Sequence, residues 1–279
     1  MKRFENNKIV AYFVLFFIGI VILFPFVWMV FACFKSNAEI LGSTNLLPSE
    51  FNLDAFKAGW KGVGEITFAT YFKNTFLMVV PTVLLTVASC SIVAFGFARF
   101  RFPGKKLLFG LMISTLMLPN SVIIIPRYLI FSKIGVLNTY YPFYLPALLA
   151  CFPFFIFMIV QFLRGIPREL DEAAYIDGCS SFQLFIKILL PLMKPALFSA
   201  GLFQFMWTYN DFFNSLIYIS SVKKFPVSLG LRASLDTASQ VQWNNVMAMS
   251  LISILPSIII FFFAQKYFVE GVSAGAVKG

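Results

Sequence analysis

The sequence predicts an all-α membrane protein of six transmembrane helices, with a polar two-helix element between the fourth and the fifth. Hydrophobic residues make up 59% of the 279 and charged residues only 12%, with a mean hydropathy of +0.85. A soluble domain carries roughly a quarter charged residues. The apolar residues gather into runs of about twenty, the length that crosses a hydrocarbon core. The charges gather between those runs.

The first run is Ile9–Phe34, preceded by Lys2, Arg3 and Lys8 and without a small-residue cleavage site, so it reads as a retained span rather than a signal peptide. Residues 35–72, with Pro48, Gly59, Gly62 and Gly64, read as an external loop holding short helical pieces. The second span is Asn74–Ala98, and RFRFPGKK (99–106) is a short basic turn. The third span covers Leu107–Ile125, and Arg127–Asn138 links it to the fourth, Tyr141–Leu163. The fifth is Ala196–Ile219, followed by a loop to Asn245 and the sixth, Val246–Ala264. Pro25, Pro81, Pro119, Pro153 and Pro256 fall within or at the ends of spans, where each removes a backbone donor and allows a bend. They fit ordinary membrane-helix proline, or a bundle whose helices curve around a path and rearrange. The tail VEGVSAGAVKG (269–279) is small and glycine-rich, and taken alone reads as disordered.

Residues 168–191, RELDEAAYIDGCSSFQLFIKILLP, form the most polar long interruption. Pro167 suits a first turn, and Glu169, Asp171 and Glu172 place acids at the positive end of a helix dipole. Gly178 suits the left-handed conformation that ends this helix. Ser180 and Gln183 have the spacing of a capping box, opening a second helix. Phe182, Phe185, Ile186, Leu189 and Leu190 recur at helical spacing and give that helix one apolar face, up to Pro191. Such an element either floats at the membrane interface or docks a partner.

Six spans put both termini on the side of the loops at 99–106 and 164–195. That side carries thirteen of the 22 basic residues, and the other carries nine over longer loops. The positive-inside rule places the termini and the 168–191 element in the cytoplasm. The expected organisation is a cytoplasmic N-terminus (1–8), a six-span body (9–267) and a cytoplasmic tail (268–279).

The net charge of +10 is spread between spans rather than gathered on one exposed domain, which argues against nucleic acid as a partner. There is no histidine, so the usual general base and favourite metal ligand are missing. Cys33, Cys90, Cys151 and Cys179 have no paired spacing and are expected to be free thiols, not metal ligands. A membrane enzyme would need carboxylate pairs or a nucleophile with a base. A secondary transporter or channel would keep ionisable groups or filter-like repeats at mid-membrane. The spans are nearly free of both, and the two halves show no convincing repeat. What remains is a polar strip late in span five: Gln204, Thr208, Tyr209, Asn210, Asp211 and Asn214. Gln204, Thr208 and Asp211 share a helical face. That face lines a translocation path or meets a partner; alternatively it packs helices, with Asp211 merely solvated or helix-bonded at the interface.

Glu172-Ala173-Ala174, then Gly178, then Ile188 and Leu190-Pro191, at these spacings, resemble the EAA motif of permease subunits of binding-protein-dependent ABC importers. The form ELDEAAYIDGCSSFQLFIKILLPLMKP is similar to the carbohydrate importers of the maltose permease G type. So are WTYNDFFNSLIYI, FPVSLGL (225–231), LPSIIIFFFAQKYFVEG (255–271) and the terminal GAVKG. The resemblance covers the whole chain and implies the type I ABC importer permease fold. It implies a pore subunit without catalysis of its own, ATP and Mg being bound by a partner ATPase. The 168–191 element would be the coupling element seated in an ATPase cleft. Glu172 would face a basic ATPase residue, Ala173 and Ala174 would allow close approach, Gly178 would make the bend, and Asp177 would belong to the same coupling set. Ile188, Leu190 and Pro191 would complete the motif.

The resemblance further implies a distinct sister permease completing the pore, two ATPase copies and an extracytoplasmic solute-binding protein, in a bacterial cytoplasmic membrane. The segment 221–245 would probe the binding protein, and the tail, with Gly275, Ala276, Val277, Lys278 and Gly279, would reach the ATPases. The solute would be a carbohydrate: an oligosaccharide, disaccharide, sugar alcohol or glycerol-phosphate-like compound. The alternatives are the same machinery importing a non-sugar solute, and a non-translocating structural subunit. The short region 35–72, against a longer one in the maltose type, keeps the protein near the minimal six-helix form.

Overall fold

The computed structural model describes residues 2–62, 64–235 and 241–276, with side chains described between residues 8 and 263. Every regular element among them is a helix. Among the described residues four helices are long and apolar enough to cross a membrane, or up to six when each bent pair is taken as one span. The chain divides into two compact units, residues 1–70 with 230–255, and residues 71–229 with 256–279.

In the first unit α1 (Lys2–Ala32) is exposed along residues 10–18 and 20–27, the surface of a helix that meets acyl chains or another subunit rather than its own core. Two short helices follow, α2 (Asn37–Gly42) and α3 (Asp54–Trp60), as the mixed composition of 35–72 predicts. The Asn37 side chain ties this region to the start of the last helix, donating to the Val241 carbonyl (3.1 Å) and accepting the Trp243 N–H (2.8 Å). Gly59 lets α3 approach that helix closely, since a Cβ there would sit 2.8 Å from Met249 Cγ.

The second unit is built on α4 (Phe68–Arg99), which passes Pro81 without interruption. The expected third span is not one helix. It is α5 (Lys105–Ser114), a 3-10 turn at Thr115–Met117, and α6 (Asn120–Lys133), with a bend of 105°. The cause is Pro119: the residue before a proline is pushed out of the α region, and Leu118 is extended at φ −77, ψ 118. Much of the expected link at 127–138 is therefore helix. The fourth span is likewise divided into α7 (Tyr141–Leu148) and α8 (Pro153–Gly165), with Phe152 outside the helical region at φ −119, ψ 80 before Pro153 and Ala150 left-handed at φ 55.

The polar element follows as α9 (Glu169–Ile176) and then α10 (Ser181–Gln183), a π-helical stretch Leu184–Leu189, and α11 (Leu190–Leu192). Pro167 precedes the Arg168 N-cap rather than occupying the first turn. Pro191 does not end the second helix. It sits in the first turn of α11, and the chain runs through a 75° elbow into α12 (Lys194–Tyr209). Pro195, which lacks the N–H the helix ladder needs, accounts for the elbow. Span five stops at Tyr209 and resumes as α13 (Phe213–Tyr218).

The loop beyond holds a 3-10 turn (Val222–Lys224) and α14 (Val227–Leu235). The last helix, α15 (Trp243–Ala276), passes Pro256 and continues through most of the tail expected to be disordered. Extending an existing helix fixes one residue per hydrogen bond, which outweighs weak local propensity.

Two apolar clusters hold the second unit. One joins Phe95, Ala98, Phe155, Ile159, Ala174, Leu184 and Leu189, from α4, α8 and the polar element. The other joins Met78, Phe131, Phe143, Phe205, Tyr218 and Leu229 at the opposite end of α4.

Candidate functional site

The turn between α9 and the π-helical segment is built as its sequence predicts. Gly178 is left-handed at φ 80, its N–H donates to the Tyr175 carbonyl (3.1 Å), and the Cys179 N–H reaches the Ala174 carbonyl (2.9 Å). This is the paired bonding of a Schellman C-cap. Across the turn the Ser180 hydroxyl accepts the Gln183 N–H (3.3 Å), and Gln183 Oε1 accepts the Ser180 N–H (2.9 Å), closing the capping box. The faces then separate. Ala174, Leu184, Phe185 and Leu189 are buried, while Glu172, Ala173, Asp177 and Gly178 are exposed beside Ile176 (87% exposed) and Phe182 (70%). Two large apolar side chains thus flank an acidic, small-residue helix start on an exposed surface, which is the kind of patch that meets a partner or a membrane rather than water alone.

Underneath, the element is bolted to α4. Arg99 Nε lies 2.9 Å from Asp171 Oδ2, with the two side chains only 5% and 11% exposed. Arg99 Nη2 also donates to the Ile166 carbonyl (3.1 Å), and Arg168 Nη2 donates back to the Ala98 carbonyl (3.2 Å). Burial pushes the Asp171 carboxyl above the ordinary carboxylate range, the Arg99 and Arg168 charges pull it back, and Glu172 adds to the upward push.

A cavity of ≈ 810 Å³ opens in the second unit, and its wall includes the polar strip of span five. Gln204, Thr208, Asn210, Asp211 and Asn214 all line it, joined by Thr82 of α4, Arg127 of α6 and Tyr218 of α13. Phe143, Phe152, Phe154 and Trp207 supply aromatic surface. Gln204, 2% exposed, donates to Thr208 Oγ1 (2.8 Å), and its Oε1 has no partner among the described residues. Asp211 accepts the Asn214 N–H (3.0 Å) and its side-chain amide (3.1 and 2.8 Å), so the carboxylate caps the first turn of α13 while facing the cavity. Asn210 donates instead to the Met206 carbonyl (2.8 Å). Asp211 is therefore helix-bonded and also borders the cavity.

The pattern shared by binding-protein-dependent transport system inner membrane components matches residues 90–274, spanning the 168–191 element and most of the cavity's wall. The chain belongs to that family.

It is 36% identical over 266 residues, 95% of this chain and 87% of the relative, to the probable ABC transporter permease protein YurM of Bacillus subtilis. It is 31% identical over 261 residues, 94% and 93% of the two chains, to the trehalose/maltose transport system permease protein MalG of Thermococcus litoralis. Its fold is similar to a chain of a bacterial ABC transporter involved in the import of the acidic polysaccharide alginate. That match has a TM-score of 0.84 at 22% identity, over 95% of this chain and 97% of that one. The sugar-permease resemblance and the type I importer fold expected from the sequence are thereby shown, as is a multi-pass membrane protein of an inner-membrane family.

In this permease the motif residues do not all share one surface. Ala174 is buried against the second half of the element and leaves Ala173 as the small exposed residue of the pair. Ile188 and Leu190 are half-buried, and Pro191 is exposed at the entrance to the elbow. Gly275 and Ala276 lie in the last turn of α15, while Val277, Lys278 and Gly279 fall outside the described residues. Sequence reasoning took Arg99, Arg168 and Arg127 as loop charges. The available signal was that Arg99 ends a span and Arg127 follows an apolar run directly, too close to lipid to be merely solvated.

Proposed function

We propose that this permease is a pore subunit of an ATP-driven importer that carries a carbohydrate across the bacterial cytoplasmic membrane. One observation carries the reading: the docking surface and the cavity wall belong to a single length of chain. The second half of the element runs through the 75° elbow into α12, which bears Gln204 and Thr208. A push on Glu172 and Ala173 therefore reaches the cavity through one bent rod, the rigid-element switching that alternating access requires.

The carbohydrate class rests on three supports. The sequence resembles the maltose permease G type, and the relative from Thermococcus litoralis is named for trehalose and maltose transport. The cavity also combines amide and hydroxyl groups with aromatic faces, the chemistry that holds a polyhydroxylated ring. The expected assembly, carried over from the sequence resemblance, is this chain, a sister permease, two ATPase subunits that bind ATP and Mg, and an external solute-binding protein; the family description supports the binding-protein dependence. No catalytic role falls to this chain. The termini and the coupling element face the cytoplasm by their basic flanks. The segment 221–245 faces the binding protein, and the end of α15 reaches toward the ATPases.

The test is the assembled importer in proteoliposomes with its loaded binding protein. Glu172→Lys is expected to abolish solute uptake while ATP hydrolysis loses its dependence on that protein. Normal uptake by this variant would defeat the reading. A thermal-shift screen of the binding protein against sugars and non-sugar solutes then names the solute; stabilisation by amino acids alone would remove the carbohydrate assignment.

A further inference from the structure

The coupling element is joined through the chain to α8 on one side and α12 on the other. Its connection to α4 is different, because it is made entirely through space. Three contacts make it, and they run in both directions. Arg99, the last residue of α4, reaches Asp171 (2.9 Å) and the Ile166 carbonyl (3.1 Å), while Arg168 reaches back to the Ala98 carbonyl (3.2 Å). Around them Phe95 and Ala98 of α4 share one buried cluster with Ala174, Leu184 and Phe185 of the element, and the Phe95 and Phe185 rings are 4.9 Å apart. Neither helix slides against the other without exposing a buried charge, so the joint is stiff.

The far end of α4 is tied in the same manner. Asn74 Nδ2 donates to the carbonyls of Lys223 (2.8 Å) and Phe225 (3.0 Å), and Thr75 Oγ1 accepts the Val227 N–H (2.8 Å). Between these ties the helix is unbroken for about 38 Å, at 1.5 Å per residue from Asn74 to Arg99. Thr82 places it on the cavity wall.

We propose that the Arg99–Asp171 pair is a positioning link that carries movement of the coupling element into α4. Through α4 that movement reaches the cavity wall and the segment at 223–227. The proposal rests on the ATPase-coupled reading given above and adds a second output to it. The bent rod of α12 moves one wall of the cavity, and the straight rod of α4 moves another and signals to the opposite end of the molecule. Exchanging the two charges keeps one opposite-charge pair at the joint while giving up the Ile166 contact, so it should restore the link in part.

The native thiol of Cys151, exposed and lining the cavity, reports on the outcome without knowledge of the solute. The whole importer is labelled with maleimide, nucleotide-free and trapped with ATP and vanadate, and modification of Cys151 is read by peptide mass spectrometry. Complex assembly and ATP hydrolysis are measured alongside. Wild type is expected to change its labelling rate on trapping. Asp171→Asn should reduce that ratio by about tenfold, a typical coupling between two sites. The exchange Arg99→Asp with Asp171→Arg should recover part of it. A wild-type ratio in Asp171→Asn overturns the link. If the single variants fail to assemble and the exchange restores assembly without the nucleotide response, the pair serves folding alone and the link is also overturned. A wild-type rate indifferent to nucleotide would instead overturn the ATPase-coupled reading, which a silent Asp171→Asn would leave standing.

Discussion

Gly178 shows how much one residue decides in this permease. It is left-handed at φ 80, yet a Cβ built there would meet nothing within 4 Å. The requirement for glycine is therefore backbone conformation and not space. Gly178→Ala is expected to cost about 1–2 kcal/mol of local stability, while Gly178→Asn, which tolerates this conformation, should cost less. Thermal unfolding of the purified complex would separate the two, and equal losses would mean that space, not φ, is limiting. Asp211 divides its roles in a similar way. Asp211→Ala removes the cap on α13, worth about 1 kcal/mol, whereas Asp211→Asn keeps an acceptor and removes only the charge. Uptake that survives in the Asn variant and falls in the Ala variant assigns Asp211 to the cap; loss in both assigns it to the cavity. Gly178 and the Ser180 box were legible because their partners lie within five residues. The pairing of Arg99 with Asp171 was not, because nothing local relates a charge ending one span to an acid in a later loop.

At the scale of elements, helix α9 has two faces with opposite tolerances. Ala174 is 3% exposed in the cluster with Leu184 and Leu189, so Ala174→Leu overpacks it at about 1–3 kcal/mol and should lower the yield of folded protein. Ala173 is exposed, so Ala173→Leu should leave folding unchanged and weaken co-purification of the ATPase subunit. Reversed outcomes would place the docking face on the other side of the helix. Asp171→Ala should cost more than either, about 3–5 kcal/mol, because it strands a buried guanidinium. Spans were legible as elements, since hydrophobic length identifies them. Their interruptions were less so, because hydropathy runs straight through a break. Leu118 and Phe152, each held out of the helical region before a proline, and the elbow at Pro195 show where backbone chemistry overrules that pattern.

At the scale of the whole molecule, the basic flanks predict the orientation. Phe182 is 70% exposed on the 168–191 element, and Phe182→Cys should react with a membrane-impermeant maleimide in inverted vesicles but not in intact cells. Reaction in intact cells would turn the protein over and end the ATPase assignment. Helix lengths bear on the same question. At 32 and 34 residues, α4 and α15 run about 48 and 51 Å, against a hydrocarbon core of roughly 30 Å. Both must project into water, and α15 carries the tail out with it. The small residues of that tail suggested disorder because composition says nothing of the helix arriving from the membrane.

The interruption at 149–152 has a consequence for hydration. An isolated peptide group in hydrocarbon has no partner, so irregular backbone at membrane depth survives only where water or protein reaches it. Cys151 and Phe152 border the cavity. Here protein supplies much of it: the Leu149, Ala150 and Cys151 N–H groups donate to the Leu145, Ala147 and Pro146 carbonyls (3.0, 3.4 and 2.9 Å), so the break closes on itself and only its cavity side is left for water that an arriving solute displaces. Amides at 149–152 should exchange with deuterium faster than those of α7 and α8 on either side, and slow down when solute is held.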